Sequence, residues 1–263
     1  MIGGISLRSG SSGNCTLIRN GEKRIIVDCG LNGKNFTNSL AEIGETPANI
    51  DGIVITHEHS DHVSGLGVIL RRYKIPVYLT EKTFEAIQPR LGKFENSLIN
   101  FILPEGKFTI NDQQIESFLV PHDAPETLAY RFITSNGDIS VCTDIGAVTP
   151  EVLTKIKKSR LVFLESNYDL EMLTNGPYPY YLKERIKNGG GHLSNGQCGD
   201  TLCHLVNSGT EQITLAHLSA QNNIPALAEL TSVQALEEIE AEQNKDYLLQ
   251  VAKRNQVSNW MQI

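Results

Sequence analysis

Three of the seven histidines fall within six residues, in the segment Thr56-His57-Glu58-His59-Ser60-Asp61-His62. At the end of an extended strand, side chains two positions apart project to the same side, so His57 and His59 could reach one ion. Asp61 and His62 follow in the turn before a predicted helix, where they could face a second ion. Imidazole and carboxylate are the ligands that zinc and similar divalent cations prefer. A solvated polar turn is the alternative, but it does not explain so specific a pattern.

Three further ligand-type residues each follow a short apolar run that predicts a strand: His122, Asp144 and His217. Each alone is more typical of a polar residue that caps a strand. Together with the histidine cluster they indicate a metal site gathered along one edge of a sheet structure.

The elements that must position these residues alternate between strands and helices along the chain. Apolar runs and turn residues predict strands over residues 2–7, 15–18, 24–28, 52–56, 76–80, 161–164 and 212–215, with more strands between 101 and 144. Helical spacing and capping residues predict helices over residues 63–73, 83–91, 149–158, 180–187, 196–206 and 224–243. The order predicts an α/β protein in which two sheets face each other with helices outside. No linker or repeat interrupts residues 1–263, so we expect one domain.

Composition bounds the function further. The chain has 23 Lys and Arg against 30 Asp and Glu, a formal charge of −7, which excludes a protein that grips nucleic acid by bulk basicity. The longest apolar runs are far too short to span a bilayer, and the N-terminus has no apolar stretch typical of a secretory signal. The five cysteines form no Cys-x-x-Cys pair, which favours free thiols and a cytoplasmic location without membrane attachment.

The ligand-type residues occur in an order that resembles the five motifs of the metallo-β-lactamase fold: Asp28, His57-x-His59-x-Asp61-His62, His122, Asp144 and His217. The resemblance implies a four-layer αββα sandwich with two divalent metal ions. By motif matching, the first ion would be held by His57, His59 and His122, and the second by Asp61, His62 and His217. Asp144 would bridge the ions, and Asp28 would orient ligands from behind.

Two more segments indicate a branch of this superfamily. Glu165 and the run Gly191-His192-Leu-Ser194 are similar to elements of ribonuclease Z that assist proton transfer, although that family has His-Ser-Thr where this chain has His-Leu-Ser. The intact Asp61-His62 pair disfavours a classical β-lactamase. The interval between Asp144 and His217 is too short for the inserted domain of the β-CASP nucleases.

Four longer runs resemble the YycJ (WalJ) group of bacterial nucleases, which the resemblance implies degrade DNA from 5′ ends and take part in DNA repair. These runs are Ser9-Gly-Ser-Ser-Gly-Asn14, Glu165-Ser-Asn-Tyr-Asp-Leu-Glu-Met-Leu173, Gly191-His-Leu-Ser-Asn195 and His217-Leu-Ser-Ala-Gln-Asn-Asn223. Tyr168 and Ala220 differ from the commoner choices.

The chemistry implied is hydrolysis of a phosphodiester by a hydroxide shared between two metal ions. Asp61 would bind a metal ion and accept a hydrogen bond from the nucleophile. His192, held by Glu165, would stabilise a phosphate oxygen or protonate the leaving 3′ oxygen, making Asp61, Glu165 and His192 the predicted catalytic residues. A purely structural Glu165–His192 pair between two strands is the alternative.

A phosphate site is a further hypothesis. Ser11, Ser12 and Asn14 lie in a turn of small residues whose N–H groups could bind a terminal phosphate, although an ordinary hairpin turn is equally consistent. Two basic runs, at 155–160 and 183–187, could follow a phosphate backbone, but a solvated helix face is the favoured interpretation.

The leading hypothesis is therefore a 5′-to-3′ DNA exonuclease that requires zinc or manganese, with iron possible. The alternative is a thioester or lactone hydrolase of the glyoxalase II type, which would use the same ligands but have no use for His192. A non-catalytic scaffold that retained the fold is a third reading.

Overall fold

Two seven-stranded sheets pack face to face, and helices cover the outer face of each. A computed structural model describes the whole chain, Met1–Ile263. The first sheet has the order β14-β1-β2-β3-β4-β5-β6, and the second has the order β13-β12-β11-β10-β9-β8-β7, with these bounds: β1 Ile2–Arg8, β2 Cys15–Asn20, β3 Lys23–Val27, β4 Gly52–Val54, β5 Val77–Leu79, β6 Ile99–Phe101, β7 Gly106–Ile110, β8 Gln113–Leu119, β9 Leu128–Phe132, β10 Asp138–Cys142, β11 Ser159–Glu165, β12 Gln212–Ala216, β13 Leu248–Val251 and β14 Met261–Gln262. Strands β3 to β6 are parallel in the first sheet, and β10 to β13 are parallel in the second.

Nine α-helices and two short 3-10 helices, Pro47–Asn49 and Asn96–Leu98, complete the fold. The α-helices are α1 Gly33–Glu42, α2 Ser60–Val63, α3 Leu66–Tyr73, α4 Glu81–Leu91, α5 Pro150–Ile156, α6 Leu170–Asn175, α7 Tyr180–Lys187, α8 Asn195–Val206 and α9 Pro225–Glu237. None of them combines the length and the apolar composition needed to cross a membrane.

Alternation along the strands creates the layers. In β11, Leu161 and Phe163 point into the core between the sheets, whereas Val162 and Leu164 pack under the outer helices α5, α8 and α9. In the first sheet, Ile26 of β3 packs under α1, α3 and α4 and its neighbour Ile25 points inward. Each sheet is thus apolar on both faces, and the predicted sandwich of two sheets with outer helices is confirmed.

The C-terminal region differs from the prediction. The helix predicted over residues 224–243 ends at Glu237, because Glu240 adopts a left-handed φ of 61° and Ala241 N–H turns back to Leu236 O. The sequence did not reveal β13 and β14, which have only four and two residues. Gly3 of β1 pairs with Gln262 of β14, so the end of the chain crosses from the second sheet back to the first.

Candidate metal centre

The chemistry-bearing residues lie where strands end at one edge of the sandwich. His57 follows β4, His122 follows β8, Asp144 follows β10, and His217 follows β12. Strands β8, β10 and β12 run in the same direction, so their carboxyl ends share one edge of the second sheet. The α2 segment carries Asp61 and His62 to that edge from the first sheet.

The first group of ligand-type atoms comes from His57, His59 and His122, whose candidate atoms all lie within 4.8 Å of one another. Nδ1 of His122 donates to Gly191 O at 2.7 Å, and Nδ1 of His57 lies 2.9 Å from Thr56 Oγ1. These contacts place the ring proton on Nδ1 and leave Nε2 as the electron-pair donor. Nε2 of His57 is buried without a hydrogen-bond partner, as expected of an atom that serves a metal ion.

The second group consists of Asp61, His62 and His217, again within 4.8 Å. Nδ1 of His62 donates to Asp28 Oδ2 at 2.7 Å, and Nδ1 of His217 donates to Glu165 Oε1 at 2.7 Å. The two Nε2 atoms then lie 3.6 and 3.3 Å from Asp61 Oδ2. Carboxylates behind the histidines thus aim both rings at the same point.

Asp144 lies between the two groups. Its Oδ2 is 3.0 Å from His62 Nε2, and its Oδ1 is 3.9 Å from His122 Nε2. A fully buried carboxylate that reaches a member of each group is suited to joining two cations, because it needs positive charge on both oxygens. The residues therefore fit two divalent cations with nitrogen and oxygen ligands.

Burial and neighbouring charges shift the pKa values of the histidines in this centre. Burial lowers the pKa of His57 and His122. For His217 burial also acts downward, but Asp144, Asp61 and Glu165 outweigh it and raise its pKa to about 10. A cation bound at His217 would displace the proton that this raised pKa holds, so metal binding and proton release are linked.

Asp28 supports the centre from behind. Its Oδ1 accepts hydrogen bonds from Thr56 N at 2.8 Å and Thr56 Oγ1 at 3.0 Å, next to His57. Gly30 lets the main chain after β3 lie against that of Asp61, since a Cβ there would meet Asp61 O at 1.7 Å. Asp28, Asp144 and His217 all adopt left-handed φ, at 63°, 55° and 55°, a strain that clusters at functional sites.

Comparison with known proteins identifies the family. A model of the metallo-beta-lactamase superfamily matches residues 8–174. The chain belongs to the metallo-β-lactamase superfamily. It is 40% identical over 233 residues to exodeoxyribonuclease WalJ of Streptococcus pneumoniae, covering 88% of this chain and 86% of that protein. It is also 40% identical over 234 residues to exodeoxyribonuclease YycJ of Bacillus anthracis, covering 88% of each.

Solved structures agree on the fold. The metallo-β-lactamase fold protein YhfI of Bacillus subtilis superposes with a TM-score of 0.73 at 15% identity over 98% of both chains. Human tRNase Z, short form, superposes with a TM-score of 0.62 at 14% identity over 97% of this chain and 98% of that one. The predicted αββα metallo-β-lactamase sandwich is thereby confirmed. The prediction of a metal-dependent hydrolase is confirmed by the family model and the two exodeoxyribonuclease relatives.

In this metallo-β-lactamase-fold enzyme Glu165 has two partners where the sequence suggested one. Its fully buried carboxylate accepts from His217 Nδ1 at 2.7 Å and from His192 Nδ1 at 2.9 Å through the same Oε1. Its Oε2 accepts from the main-chain N–H groups of Ile145 and Leu193 at 2.9 and 3.1 Å. Burial lowers the pKa of His192, but Glu165 outweighs this effect and raises it.

A cavity of about 240 Å³ opens onto the centre, lined by Ser11, His59, Asp61, Asp144, His192 and His217. It is smaller than the roughly 300–1,000 Å³ of typical small-molecule sites. Only a small part of a larger substrate can therefore lie inside it. His192 lines this cavity, so its second ring nitrogen is the one available to a substrate.

The residues of the proposed phosphate turn lie in different surroundings. Ser11 and Ser12 are exposed, and Ser11 lines the cavity. Asn14 is buried, and its Nδ2 lies 3.3 Å from Asp61 Oδ2 and 3.0 Å from His62 Nε2, so it lies against the metal centre and not at the exposed surface of the turn.

Residues of both basic runs are in ion pairs. Lys155 is paired with Glu116, Arg160 with Glu211, and Arg185 with Asp123.

Sequence reasoning also missed two residues. Asn167 donates to His217 O at 2.7 Å, and it lies in a segment already noted beside Glu165. Arg254 approaches Ser11 from the C-terminal segment, where no motif signalled it.

Proposed function

We propose that the protein is a 5′-to-3′ DNA exonuclease that requires two divalent cations, zinc or manganese, with iron possible. The observation that supports DNA as the substrate is the 40% identity, over 88% of the chain, to two proteins named as exodeoxyribonucleases. The metal count is supported by two ligand groups that share no residue, His57-His59-His122 and Asp61-His62-His217, and by Asp144, which lies near a member of each. Since residues from Asp28 to His217 contribute to one site, residues 1–263 would act as one domain without a β-CASP insert.

The contacts support the assignment of ligands. His57, His59 and His122 would hold one ion, Asp61, His62 and His217 the other, and Asp144 both. When bound, the ions lower the pKa of a water molecule and offset the negative charge of the phosphate.

The protein's own groups supply the remaining steps. Asp61 accepts a hydrogen bond from the attacking water and so fixes its direction toward phosphorus. His192 gives a proton to the departing 3′ oxygen, or a hydrogen bond to a phosphate oxygen, through the ring nitrogen that does not bind Glu165. Glu165 holds that ring and the ring of His217 in one orientation. The small cavity admits the scissile phosphate, while the rest of the strand lies outside.

A direct assay tests this function. Metal-loaded protein is incubated with single-stranded and duplex DNA labelled at the 5′ or the 3′ end, and the released products are sized. We expect nucleotides to leave from the 5′ end, and His59→Ala to lose more than about 100-fold in rate, since partners outside the ligand shell alone are worth 10–100-fold.

His204→Ala is the matched control, because His204 is exposed on α8 and is the one histidine outside the centre. Equal rates for wild type and His59→Ala, or no cleavage by either, would refute the proposal. A thioester and a lactone serve as alternative substrates, and their turnover with no effect of His192→Ala would point to the glyoxalase II type of activity.

The proposal extends to the setting of the enzyme. All five cysteines are free thiols, which suits the reducing cytoplasm. An exonuclease acting from 5′ ends would serve DNA repair, and a strain lacking it should be more sensitive to DNA damage. Unchanged survival would contradict the repair role without affecting the biochemical one.

A further inference from the structure

A short segment between β13 and β14 carries Arg254 to the rim of the metal cavity. One guanidinium nitrogen, Nη1, lies 3.5 Å from Ser11 Oγ, and the other, Nη2, donates to Leu218 O next to His217. Gly10 makes room for this approach: it has φ +122°, and a Cβ there would lie 2.7 Å from Nη1. The turn that follows β1 is therefore shaped around the arginine.

Arg254 has no acidic partner. No carboxylate lies within 4 Å of it, in contrast to Arg185, Arg131 and Arg24, which are all in ion pairs. The side chain is half-buried, and burial lowers its pKa although Tyr178 acts in the opposite direction. A half-buried guanidinium without a carboxylate partner is a strong site for a planar or tetrahedral oxyanion.

The surroundings offer further donors and a path to the centre. The N–H groups of Ser11 and Ser12 donate to no acceptor within the chain. Ser11 lines the metal cavity, and Ser219 lines both this cavity and an adjoining groove of about 600 Å³ that Arg254 also lines. The arginine thus lies in the groove that adjoins the metal cavity, next to Ser11 of the cavity lining.

We propose that Arg254 and the Ser11–Ser12 turn bind the terminal 5′-phosphate of the DNA strand and so make the enzyme prefer phosphorylated 5′ ends. This inference rests on the proposed exonuclease function. A terminal phosphate carries nearly two negative charges against one for an internal phosphodiester, so a lone guanidinium with hydroxyl and N–H donors favours the terminal group.

The test compares two single-stranded substrates of the same sequence, one with a 5′-phosphate and one with a 5′-hydroxyl. The measured quantity is the ratio of their kcat/KM values for wild type, Arg254→Gln and Arg254→Lys. We expect wild type to favour the phosphorylated end by about 10- to 100-fold, the range for hydrogen bonds to a charged group. Arg254→Gln should bring the ratio close to one, and Arg254→Lys should retain part of it.

Arg71→Gln is the matched control, because Arg71 also donates to a main-chain carbonyl, Leu91 O, without a carboxylate partner, and it lies away from the cavity. A purely structural role of Arg254 would slow both substrates equally and leave the ratio unchanged. A wild-type ratio near one, or an undiminished ratio in Arg254→Gln, overturns the inference.

Binding separates this inference from the proposed function. Calorimetry measures the affinity of wild type and Arg254→Gln for a phosphorothioate-linked trinucleotide with either 5′ end. If wild type cleaves no DNA but binds the phosphorylated trinucleotide more tightly through Arg254, the exonuclease proposal fails and the phosphate site stands. If wild type cleaves DNA and binds both trinucleotides equally, the phosphate site fails alone.

Discussion

Replacing Glu165 by glutamine tests whether one buried carboxylate controls both a metal ligand and a proton donor. Glutamine keeps the shape but offers one oxygen where glutamate offers two, and four N–H groups now converge on that carboxylate. If the oxygen faces the histidines, the amide N–H groups face the main-chain donors of Ile145 and Leu193. If the oxygen faces the main chain, the amide N–H groups face the two histidines. His217 must then carry its proton on Nε2 instead of Nδ1, and it can no longer bind a metal ion through Nε2.

The first orientation loses two hydrogen bonds to a charged group, those from Ile145 and Leu193. At about 1.5–3 kcal/mol each, the loss reaches about 3–6 kcal/mol before the structure relaxes. Part of this loss lowers the free energy of unfolding, and part weakens metal binding and catalysis. We expect metal affinity to fall about 10–100-fold, as for other partners of metal-bound histidines. The rate with metal at saturation should fall a further 10²–10⁴-fold or so, the usual worth of a general acid.

A chelator competition measures metal affinity, and exonuclease assays at saturating metal measure the rate. Glu116→Gln is the control, since Glu116 is also a buried carboxylate but pairs with Arg131 and Lys155 away from the cavity. It should lose stability and keep its metal affinity. Metal affinity and rate for Glu165→Gln within about threefold of wild type, less than 0.7 kcal/mol, would refute the reasoning.

Three further outcomes are expected. Removal of bound metal by a chelator should lower Tm by about 5–10 °C relative to protein with free metal at 100 times its Kd, measured by calorimetry, and an unchanged Tm would argue against a metal centre. Tyr130→Phe removes a buried 2.5 Å hydrogen bond to Ile55 O and should lower the free energy of unfolding by about 1–3 kcal/mol in denaturant titrations, whereas a loss near zero would show that the bond is not needed. Burial raises the pKa of Glu116, but Lys155 and Arg131 outweigh this effect and lower it. This pairing therefore stabilises the fold above the unfolded-state pKa of about 4.3, and the stabilisation is lost as pH falls through the lower pKa of the folded state. The difference in Tm between wild type and Glu116→Gln should disappear in that acidic range.

The sequence could predict the fold and the ligand-type residues because both depend on short-range patterns. The run before His57 reads as a buried strand, and the spacing His57-x-His59 reads as one face of an extended segment. Strand ends share an edge in a sandwich, so His122 and His217 could be expected near the cluster.

Other features depend on contacts between distant segments and have no local signature. Glu165 was paired with His192 in the sequence interpretation, but its bond to His217 depends on β11 and β12 lying side by side. Arg254 could not be found because β13 and β14 are too short to show a periodic pattern. Only the pairing of β13 with β12 and of β14 with β1 brings the segment between them to Ser11.

The left-handed conformations of Asp28, Asp144 and His217 imply that the site is opposed to the stability of its own scaffold. Each costs roughly 1 kcal/mol or more compared with glycine, against a total folding free energy of only about 5–15 kcal/mol. Selection for thermal resistance in metal-free protein should therefore favour glycine at Asp144, whose Oδ2 is buried without a hydrogen-bond partner, and so remove the residue between the two ligand groups. A laboratory that evolves this protein would have to keep metal ions in the selection medium. The free energy of metal binding would then favour Asp144, which selection on the metal-free protein would remove.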